Sequence, residues 1–569
     1  MRNVEIVRAL ETIATLMEIK DEAYYRVLGY TRAAEAVAAS GREVREMEDI
    51  TELPHVGKTT AEVIRVLAED RSPQILTDLT TEIPAGLVEV THLPNVGPRT
   101  AGRLWRELGI TGVEELTELE ESQISSLKGF GKKSAEKMLK AAQNYSATER
   151  RMLLDEATAL GEHLLEFVRS HPSTERAEIA GSLRRRKETI GDLDIVAASA
   201  DQNALTDDFA EADFVEEVVA HGPTKVSIVT GGVDVDLRIV PSQAYGTLLH
   251  HFTGGQAHNI ALRERAVKMG VNISEYGLKR IGTDEDYEPV ATEDEVYARL
   301  DLPYIPPELR EDAGEIQAAE KDELPDLIEV PDIRGDLHVH TDYSDGKGTI
   351  DSMAEAAIGL GYEYLVFCDH SQSLRVANGL SPERLKEKLE AVRKADEKYE
   401  EIRLYCGSEV DILKDGTLDY EDDLLAELDF VVASVHTSFG IGHDAMTERI
   451  VRAINNPYVR TIGHPTGRIL NRRDPYEVDV SRLIREAAAT NTALELNAYP
   501  DRLDLAVPYV REALNAGVRI TIDTDAHDER ALSFMKYGIS QARRAWVEKK
   551  SVVNCLPLLE FEDYLKDSK

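Results

Sequence analysis

Cysteine is scarce in this sequence. Three occur among 569 residues, Cys368, Cys406 and Cys555. They support neither a disulfide framework nor a thiolate zinc motif, and they point to a reducing, cytoplasmic setting. Long apolar runs are missing as well. No stretch of about 18 apolar residues occurs, so no membrane-spanning helix is expected. The first twenty residues lack the apolar block of a secretion signal and read as an amphipathic helix. Positive charge is in deficit: Lys+Arg 66 against Asp+Glu 105 gives −39. By itself that argues against nucleic-acid binding, because phosphates attract cations. The acidic residues are spread along the whole chain, however, and lysine is scarce beside arginine. Halophilic proteins have this pattern, since carboxylates hold hydration at high salt. Under that reading, local basic clusters matter more than net charge.

The length predicts about two to four domains. Residues 1–150 read as short helices joined by glycine turns. One pattern recurs three times: LPHVGKTTAEVI from Leu53, LPNVGPRTAGRLW from Leu93 and LKGFGKKSAEKML from Leu127. Each places a tight turn ending in Gly57, Gly97 or Gly131 before an amphipathic helix. Glycine there would allow positive φ and close backbone approach. The helix amides behind such a turn can hold a phosphate oxygen without reading a base. The third copy is basic, with Lys128, Lys132, Lys133, Lys137 and Lys140. Three copies favour phosphate binding over ordinary helix caps. The segments resemble helix–hairpin–helix motifs that grip the DNA backbone. That resemblance assigns Gly57, Gly97, Gly129, Gly131, Lys132 and Lys133 to DNA binding. Only the third copy has both glycines of the motif; His55 and Asn95 hold the first glycine's place in the others.

Residues 150–310 change to mixed α/β. A helical segment from Arg151 to about Ser170 precedes a strand near Ala177–Ala180, and DLDIVAAS, KVSIVT and VDVDLRIV read as further strands. Asp192 and Asp194 are two apart on a strand, so they share a face. Asp236, in VDVDL, can meet them from a neighbouring strand. Three converging carboxylates repel unless they hold divalent metal. Mg²⁺ suits oxygen ligands plus substrate phosphates. Two ions about 3.5–4 Å apart would serve an in-line nucleotidyl transfer. The Gly181–Ser182 turn offers amides to a triphosphate, with Arg185 neutralising charge.

This arrangement resembles the nucleotidyltransferase palm of family X DNA polymerases, over roughly residues 1–310. The resemblance implies Asp192, Asp194 and Asp236 as metal-binding catalytic residues. It implies Gly181, Ser182, Arg185 and Gly191 as triphosphate contacts, and Arg238 as a palm arginine that pairs with a catalytic aspartate. The segment HFTGGQAHN would set Phe252 and Gly254 at the sugar and Asn259 at the base minor-groove edge; His251 stands where some members have tyrosine. Animal members with 5′-deoxyribose-phosphate lyase activity carry a Schiff-base lysine in the first repeat's helix. Val63 occupies that position here, with Lys58 nearby, so lyase activity by that route is not expected.

From Ile333 strand and helix alternate. The strands end at LVFCDH, LYCGSEVD, FVVASVH, VRTIGHP, LELNA and ITIDTDAH, which is βαβ logic at a length suited to a barrel. Histidines gather at those ends and in DLHVHTDYSDG: His338, His340, His370, His436, His464 and His527. Glu409, Asp525 and Asp345 accompany them. In a parallel barrel such ends converge on one mouth. Nine N/O ligands suit two or three ions, and imidazole with carboxylate fits Zn²⁺, Mn²⁺ or Fe²⁺. Such a cluster acidifies bridging water and grips a phosphate ester, which means hydrolysis. His443 reads as an ordinary histidine. This half resembles the PHP (polymerase and histidinol phosphatase) domain, a distorted (β/α)7 barrel with a trinuclear site, over about residues 333–569. The resemblance implies all nine residues as ligands, with Glu409 bridging two ions. Arg375 and Arg468, in the loops after His370 and His464, are either phosphate contacts or surface arginines.

The two matches in this order resemble the family X polymerases of bacteria and archaea, and the composition adds the expectation of a haloarchaeal source. The expected fold is multidomain: a helical N-terminal region 1–85 with a helix–hairpin–helix, a fingers-like DNA-binding region 86–148, an α+β palm 149–250, a thumb 251–312, an acidic linker 313–332 and the α/β barrel 333–569. The expected work is gap filling in base excision repair. The polymerase site would use two Mg²⁺. The barrel, with up to three Mn²⁺ or Zn²⁺, would act as 3′→5′ exonuclease and 3′-phosphatase, with abasic-site cleavage also open. Gapped or nicked DNA, dNTPs and other repair proteins are the expected partners of a monomer near the nucleoid. Three alternatives stand beside it: a histidinol-phosphate type phosphatase tethered to a DNA-binding module, a nucleotidyltransferase for RNA or a small molecule, and a non-catalytic scaffold.

Overall fold

The computed structural model describes residues 3–38, 44–47, 49–69, 71–91, 93, 96–117, 119–127, 130–147, 151–283 and 286–566. The chain divides into two compact units, Met1–Arg150 with Asn471–Arg473, and Arg151–Leu470 with Asp474–Lys569.

The first unit is helical. Asn3–Ile19, Tyr24–Ala38, Lys58–Ala68, Gln74–Glu82, Pro98–Leu108 and Lys132–Ala147 are its longer helices. Their apolar stripes close on one core that includes Ile6, Leu10, Ile64, Leu67, Leu104 and Ile124. The three motif helices start directly after Gly57, Gly97 and Gly131. The expected reason for those glycines needs correction. Gly57 and Gly97 are extended, both at φ −85, and Gly131 is not left-handed either. The left-handed residue of the first motif is His55, at φ 61, in the place where the motif usually has its first glycine. The conformational demand therefore falls two residues earlier in the turn. At Gly97 and Gly131 a Cβ would meet nothing within 4 Å among the described residues. Lys132 and Lys133 are exposed, and Val63 is buried in its helix. Gly129, Lys128 and Asn95 lie outside the described residues.

The second unit opens with a short pair, β1 (Met152–Leu153) and β3 (Thr189–Ile190), around the helix Leu154–Ser170. A five-stranded sheet follows, in spatial order β2 (Thr174–Ile179), β4 (Asp192–Ser199), β7 (Val233–Val240), β6 (Lys225–Thr230) and β5 (Glu217–Gly222). Only the β4–β7 pairing is parallel. The alternation of VDVDLRIV buries Val233, Val235, Leu237 and Ile239 and turns Asp236 and Arg238 to the opposite face. The helix Tyr245–Thr253 runs through the expected palm–thumb boundary at residue 250. Beyond it come the helix Gln256–Lys268, the hairpin β8 (Val271–Ser274) and β9 (Gly277–Arg280), and the helix Glu293–Ala298.

The segment 313–332 is folded rather than a free linker. Its helix Glu315–Glu320 sets Ile316 and Ala319 into the thumb core, and Ile328 enters the barrel core. Its acidity was misleading at one position in particular: Glu315 is wholly buried, 2.6 Å from His258 Nδ1.

The barrel has seven parallel strands in chain order: β10 (Gly335–Val339), β11 (Tyr364–Phe367), β12 (Arg403–Asp411), β13 (Phe430–Ser434), β14 (Val459–Ile462), β15 (Ala493–Asn497) and β16 (Ile520–Asp523). A parallel bridge from Val339 to Ala526 joins the last strand region to the first. Runs such as YLVF and FVVAS are buried at every residue, as strands covered on both faces must be. Two side chains from beyond the barrel strands, Leu503 and Tyr537, belong to the apolar cluster of the five-stranded sheet, with Leu154, Leu183 and Leu193.

Candidate active sites

The parallel register of β4 and β7 sets Asp194 opposite Asp236 and Asp192 opposite Asp234. Asp192, two residues before Asp194, shares the face. Burial, then the charges of Asp192 and Asp236, push the Asp194 carboxyl up to about 7. Asp236 is held by positive and polar neighbours. Ser227 Oγ donates to its Oδ1 at 2.5 Å, Lys225 Nζ lies 2.9 Å from Oδ2, and Arg238 Nη2 lies 3.7 Å away. Lys225 and Ser227 were not foreseen; both sit on the neighbouring strand β6.

Gly181 is left-handed at φ 60, and a Cβ there would collide with the Asp194 carboxylate. The turn needs glycine on both counts. Ser182 Oγ beside it is buried without a hydrogen-bond partner. Arg185 Nε donates to Glu311 Oε1 at 2.7 Å and its Nη1 to Thr253 O at 2.9 Å. Gly191 occupies the bend just before β4. The Arg238 guanidinium stacks 4.4 Å from the Phe252 ring centroid. Gly254 leaves no room for a side chain, because Asn259 occupies the space. Asn259 Nδ2 donates to His251 O at 2.8 Å and to Gly254 O at 3.2 Å, so this side chain fastens the 251–254 turn; its Oδ1 is buried and unpartnered.

One buried ion network behind this site was invisible in the sequence. Arg184 Nη1 and Nη2 meet Glu293 Oε1 and Oε2 at 2.9 and 2.6 Å, and Arg310 Nη1 reaches Oε1 at 2.5 Å. Burial alone would raise the Glu293 carboxyl, but Arg310 and Arg184 hold it at about 2. Arg310 also stacks on Tyr297 and Tyr304.

In the barrel mouth, three sets of ligand atoms each lie within 4.8 Å of one another: His340, Asp345, His370 and His527; His338, His340 and Asp525; and His370, Glu409 and His436. His464 joins through Nε2, 2.9 Å from Glu409 Oε1. Glu409 is the hub. Its carboxylate lies 2.8 Å from His370 Nδ1, 3.1 Å from His436 Nε2 and 3.5 Å from His338 Nε2. All nine residues are thus brought together. Metal ions suit this donor set. His338 Nε2, both ring nitrogens of His340, His464 Nδ1 and Glu409 Oε2 are buried with no hydrogen-bond partner. Buried polar atoms seldom stay so unless something else binds them. Among the described residues the palm aspartates do not form such a set. There the fit rests on three converging carboxylates, one of them pushed up by burial and by the charges of the other two, and on oxygen ligands that Mg²⁺ prefers.

A second row of carboxylates orients the ligands. Glu495 Oε1 lies 2.7 Å from His338 Nδ1, and Asp411 Oδ1 lies 3.1 Å from His436 Nδ1. Carboxylate–histidine pairs of this kind fix the imidazole's tautomer and raise its basicity. Burial raises the Glu495 carboxyl to about 7. The sequence offered a hint for each: Glu495 lies in LELNA, and Asp411 is two residues after Glu409. Asp525 and His464 are left-handed, at φ 53 and 27. Of the two candidate phosphate arginines, Arg375 is exposed and Arg468 is buried in an ion pair with Glu188. His443 is exposed beside Asp444.

Comparison with known proteins follows the same division. Helix-hairpin-helix domain models match residues 1–72 and 87–144, the DNA polymerase beta thumb model matches 248–311, and the PHP domain model matches 336–498. The DNA polymerase/3′-5′ exonuclease PolX of Bacillus subtilis (strain 168) is 40% identical over 570 residues, which is 100% of both chains. The chain belongs to the PolX family. DNA polymerase lambda of Rattus norvegicus is 24% identical over 341 residues, 54% of this PolX-family chain and 56% of its own length. A probable phosphatase of Thermoanaerobacter sp. (strain X514) is 27% identical over 246 residues, 41% of this PolX-family chain and 95% of its own. A haloarchaeal source has no support in these matches. Among the described residues of this PolX-family chain, no helix is long and apolar enough to cross a membrane.

Proposed function

We propose that this chain repairs short gaps in DNA, adding dNTPs to a 3′-OH at the palm and removing 3′-terminal phosphate or nucleotides at the barrel. The observation that carries the reading is the coexistence of two sites in one chain: Asp194 opposite Asp236 beside the Gly181–Ser182 turn, and nine ligands gathered in the barrel mouth. The full-length likeness to a DNA polymerase/3′-5′ exonuclease supports it. Divalent ions, Mg²⁺ held by Asp192, Asp194 and Asp236 and Mn²⁺ or Zn²⁺ held by the barrel ligands, would polarise P–O bonds and lower the pKa of bound water.

At the palm, Ser182 and the Gly181 turn face the triphosphate, and Arg185 neutralises it once released from Glu311. Phe252 and Gly254 line the sugar, and Asn259 stiffens their turn. The primer 3′-hydroxyl gives its proton to Asp236 or to water as its oxygen attacks the α-phosphorus, the bond to the bridging oxygen breaks, and pyrophosphate leaves. At the barrel, water attacks a phosphorus, the P–O bond to the DNA 3′-oxygen breaks, and a proton from the water ends on that oxygen as the 3′-OH. Glu495 and Asp411 hold His338 and His436 in place meanwhile. Gly57, Gly97, Gly129, Gly131, Lys132 and Lys133 are the residues assigned to the DNA backbone. With Val63 where a Schiff-base lysine would stand, lyase activity by that mechanism is expected to be weak or absent. Cytoplasmic residence at the nucleoid and a monomeric state complete the reading.

The test uses one-nucleotide-gapped DNA with a 3′-phosphate, Mn²⁺ and dNTPs. Trimming followed by extension is expected. Asp192→Ala should lose extension alone, and His338→Ala trimming alone. Extension of a free 3′-OH with the phosphate left intact would send the barrel to another phosphoester, and the resemblance of this half to a probable phosphatase favours a small-molecule phosphatase of the histidinol-phosphate type as that second reading.

A further inference from the structure

Arg502 stands on the turn after β15, where sequence reasoning assigned nothing. Its Nε lies 3.6 Å from Oδ2 of the ligand Asp525. The charges it faces are Asp525, Glu409, Asp501 and Glu495. Among the described residues no hydrogen bond engages its guanidinium, and 22% of the side chain remains exposed. It therefore lies against the ligand cluster with its fork uncommitted.

A structural ion pair is a poor account of this geometry. A single Nε–O approach of 3.6 Å is no hydrogen bond. The Asp525 carboxylate already has partners: Oδ2 accepts from Asn497 Nδ2 at 3.2 Å, and Oδ1 lies 3.1 Å from His340 Nε2. The arginines nominated earlier do not serve instead. Arg468 is committed to Glu188 and to backbone carbonyls, and Arg375 sits exposed on its own turn.

The turn is built to hold Arg502 still. Arg468 Nε donates to Arg502 O at 3.0 Å, and Arg468 Nη2 donates to Leu503 O. Arg502 N bonds Tyr499 O at 2.8 Å. Asp504 accepts from Thr466 N and Oγ1 at 3.0 and 2.8 Å. Leu503 is left-handed at φ 43 and wholly buried in the cluster of the five-stranded sheet. A branched side chain in that conformation persists only where its surroundings impose it, and such strain gathers at functional sites.

We propose that Arg502 is the phosphate-gripping residue of the barrel mouth, its planar fork receiving two non-bridging oxygens of the phosphoester beside Asp525. The guanidinium is charged at any working pH and matches phosphate two-pronged. This rests on the phosphoester reading of the barrel given above.

The test uses the full chain, loaded with Mn²⁺, as wild type, Arg502→Ala and Arg502→Lys. Three quantities are read: metal per chain by elemental analysis, binding of inorganic phosphate by calorimetry, and KM and kcat for release of a DNA 3′-phosphate. Extension of a free 3′-OH reports that each variant is folded. Arg502→Ala should keep its metal while phosphate affinity falls and KM rises, each about tenfold or more. Arg502→Lys should recover part of both. Loss of metal in Arg502→Ala would overturn the proposal, since Arg502 would then act by positioning Asp525. Unchanged phosphate affinity at full metal content would overturn it too. If metal-loaded wild type itself neither bound phosphate nor released it from DNA, the phosphoester reading would fall, a different result from a variant that differs from an active parent.

Discussion

Arg468 Nη1 and Nη2 grip both carboxylate oxygens of Glu188, at 3.2 and 2.8 Å. Arg468 follows the barrel ligand His464 by four residues, and Glu188 lies between Arg185 and the catalytic-strand residue Asp192. One two-pronged pair thus ties the loop of one candidate site to the loop of the other. Gln541 Nε2 reinforces the tie by donating to Arg186 O at 2.9 Å.

Glu188→Gln should weaken this tie without touching either reacting centre. The pair is partly exposed, 11% for Arg468 and 23% for Glu188, so the loss in stability should be modest, about 1 kcal/mol. The KM for dNTP should rise several-fold while kcat and barrel hydrolysis stay near wild type. Steady-state kinetics on gapped DNA would check this; equal losses in KM and kcat would count against it.

Glu495→Gln should lower barrel metal affinity or hydrolysis by about 10–100-fold, because Glu495 fixes the His338 ring from behind. Polymerase extension should be unaffected. Metal titration followed by both assays on one preparation would separate the effects.

Acid stability should report on Glu293. Its folded carboxyl is held at about 2, below its ordinary value of 4.5. A depressed carboxylate contributes stability above the ordinary value, and that contribution is lost as pH falls through the folded one. Thermal unfolding should therefore weaken progressively from about pH 5 to pH 2. Glu293→Gln should flatten that dependence and cost about 3 kcal/mol at neutral pH, because it leaves the buried Arg310 uncompensated. A variant with a wild-type acid profile would remove Glu293 from this role.

Chelation should lower the melting temperature of the second unit, and Mn²⁺ should restore it, because ions that bind only the folded state stabilise it by mass action. Glu409→Gln removes the hub of the ligand cluster and should abolish most of the Mn²⁺-dependent shift, as differential scanning calorimetry would measure.

The candidate metal ligands were legible because such chemistry imposes a spacing. Asp192 and Asp194 show the strand period of two, and His370, His436, His464 and His527 follow the ends of four of the seven barrel strands. What escaped was whatever the spacing does not constrain. Glu495, Asp411 and Arg502 are single charged residues whose role depends on which loop folds over them. Segment 313–332 looked like a solvated linker because Glu315 has the same letter as any surface glutamate, and only His258, far away in sequence, makes it a core residue. The turns at Gly57, Gly97 and Gly131 do precede helices, but the left-handed demand in the first motif belongs to the position of His55.

Leu503 and Tyr537 have one more consequence. They belong to the barrel half by sequence but sit in the interior of the five-stranded sheet's core. A chain cut after the thumb would lose those two side chains from a core that also holds Leu154, Leu183 and Leu193. Greasy surface bared in that way invites aggregation. Swapping the hydrolytic half for another by gene fusion, or trimming it away to obtain a minimal polymerase, should yield insoluble material unless both places are refilled. The two halves would then depend on each other to complete one core.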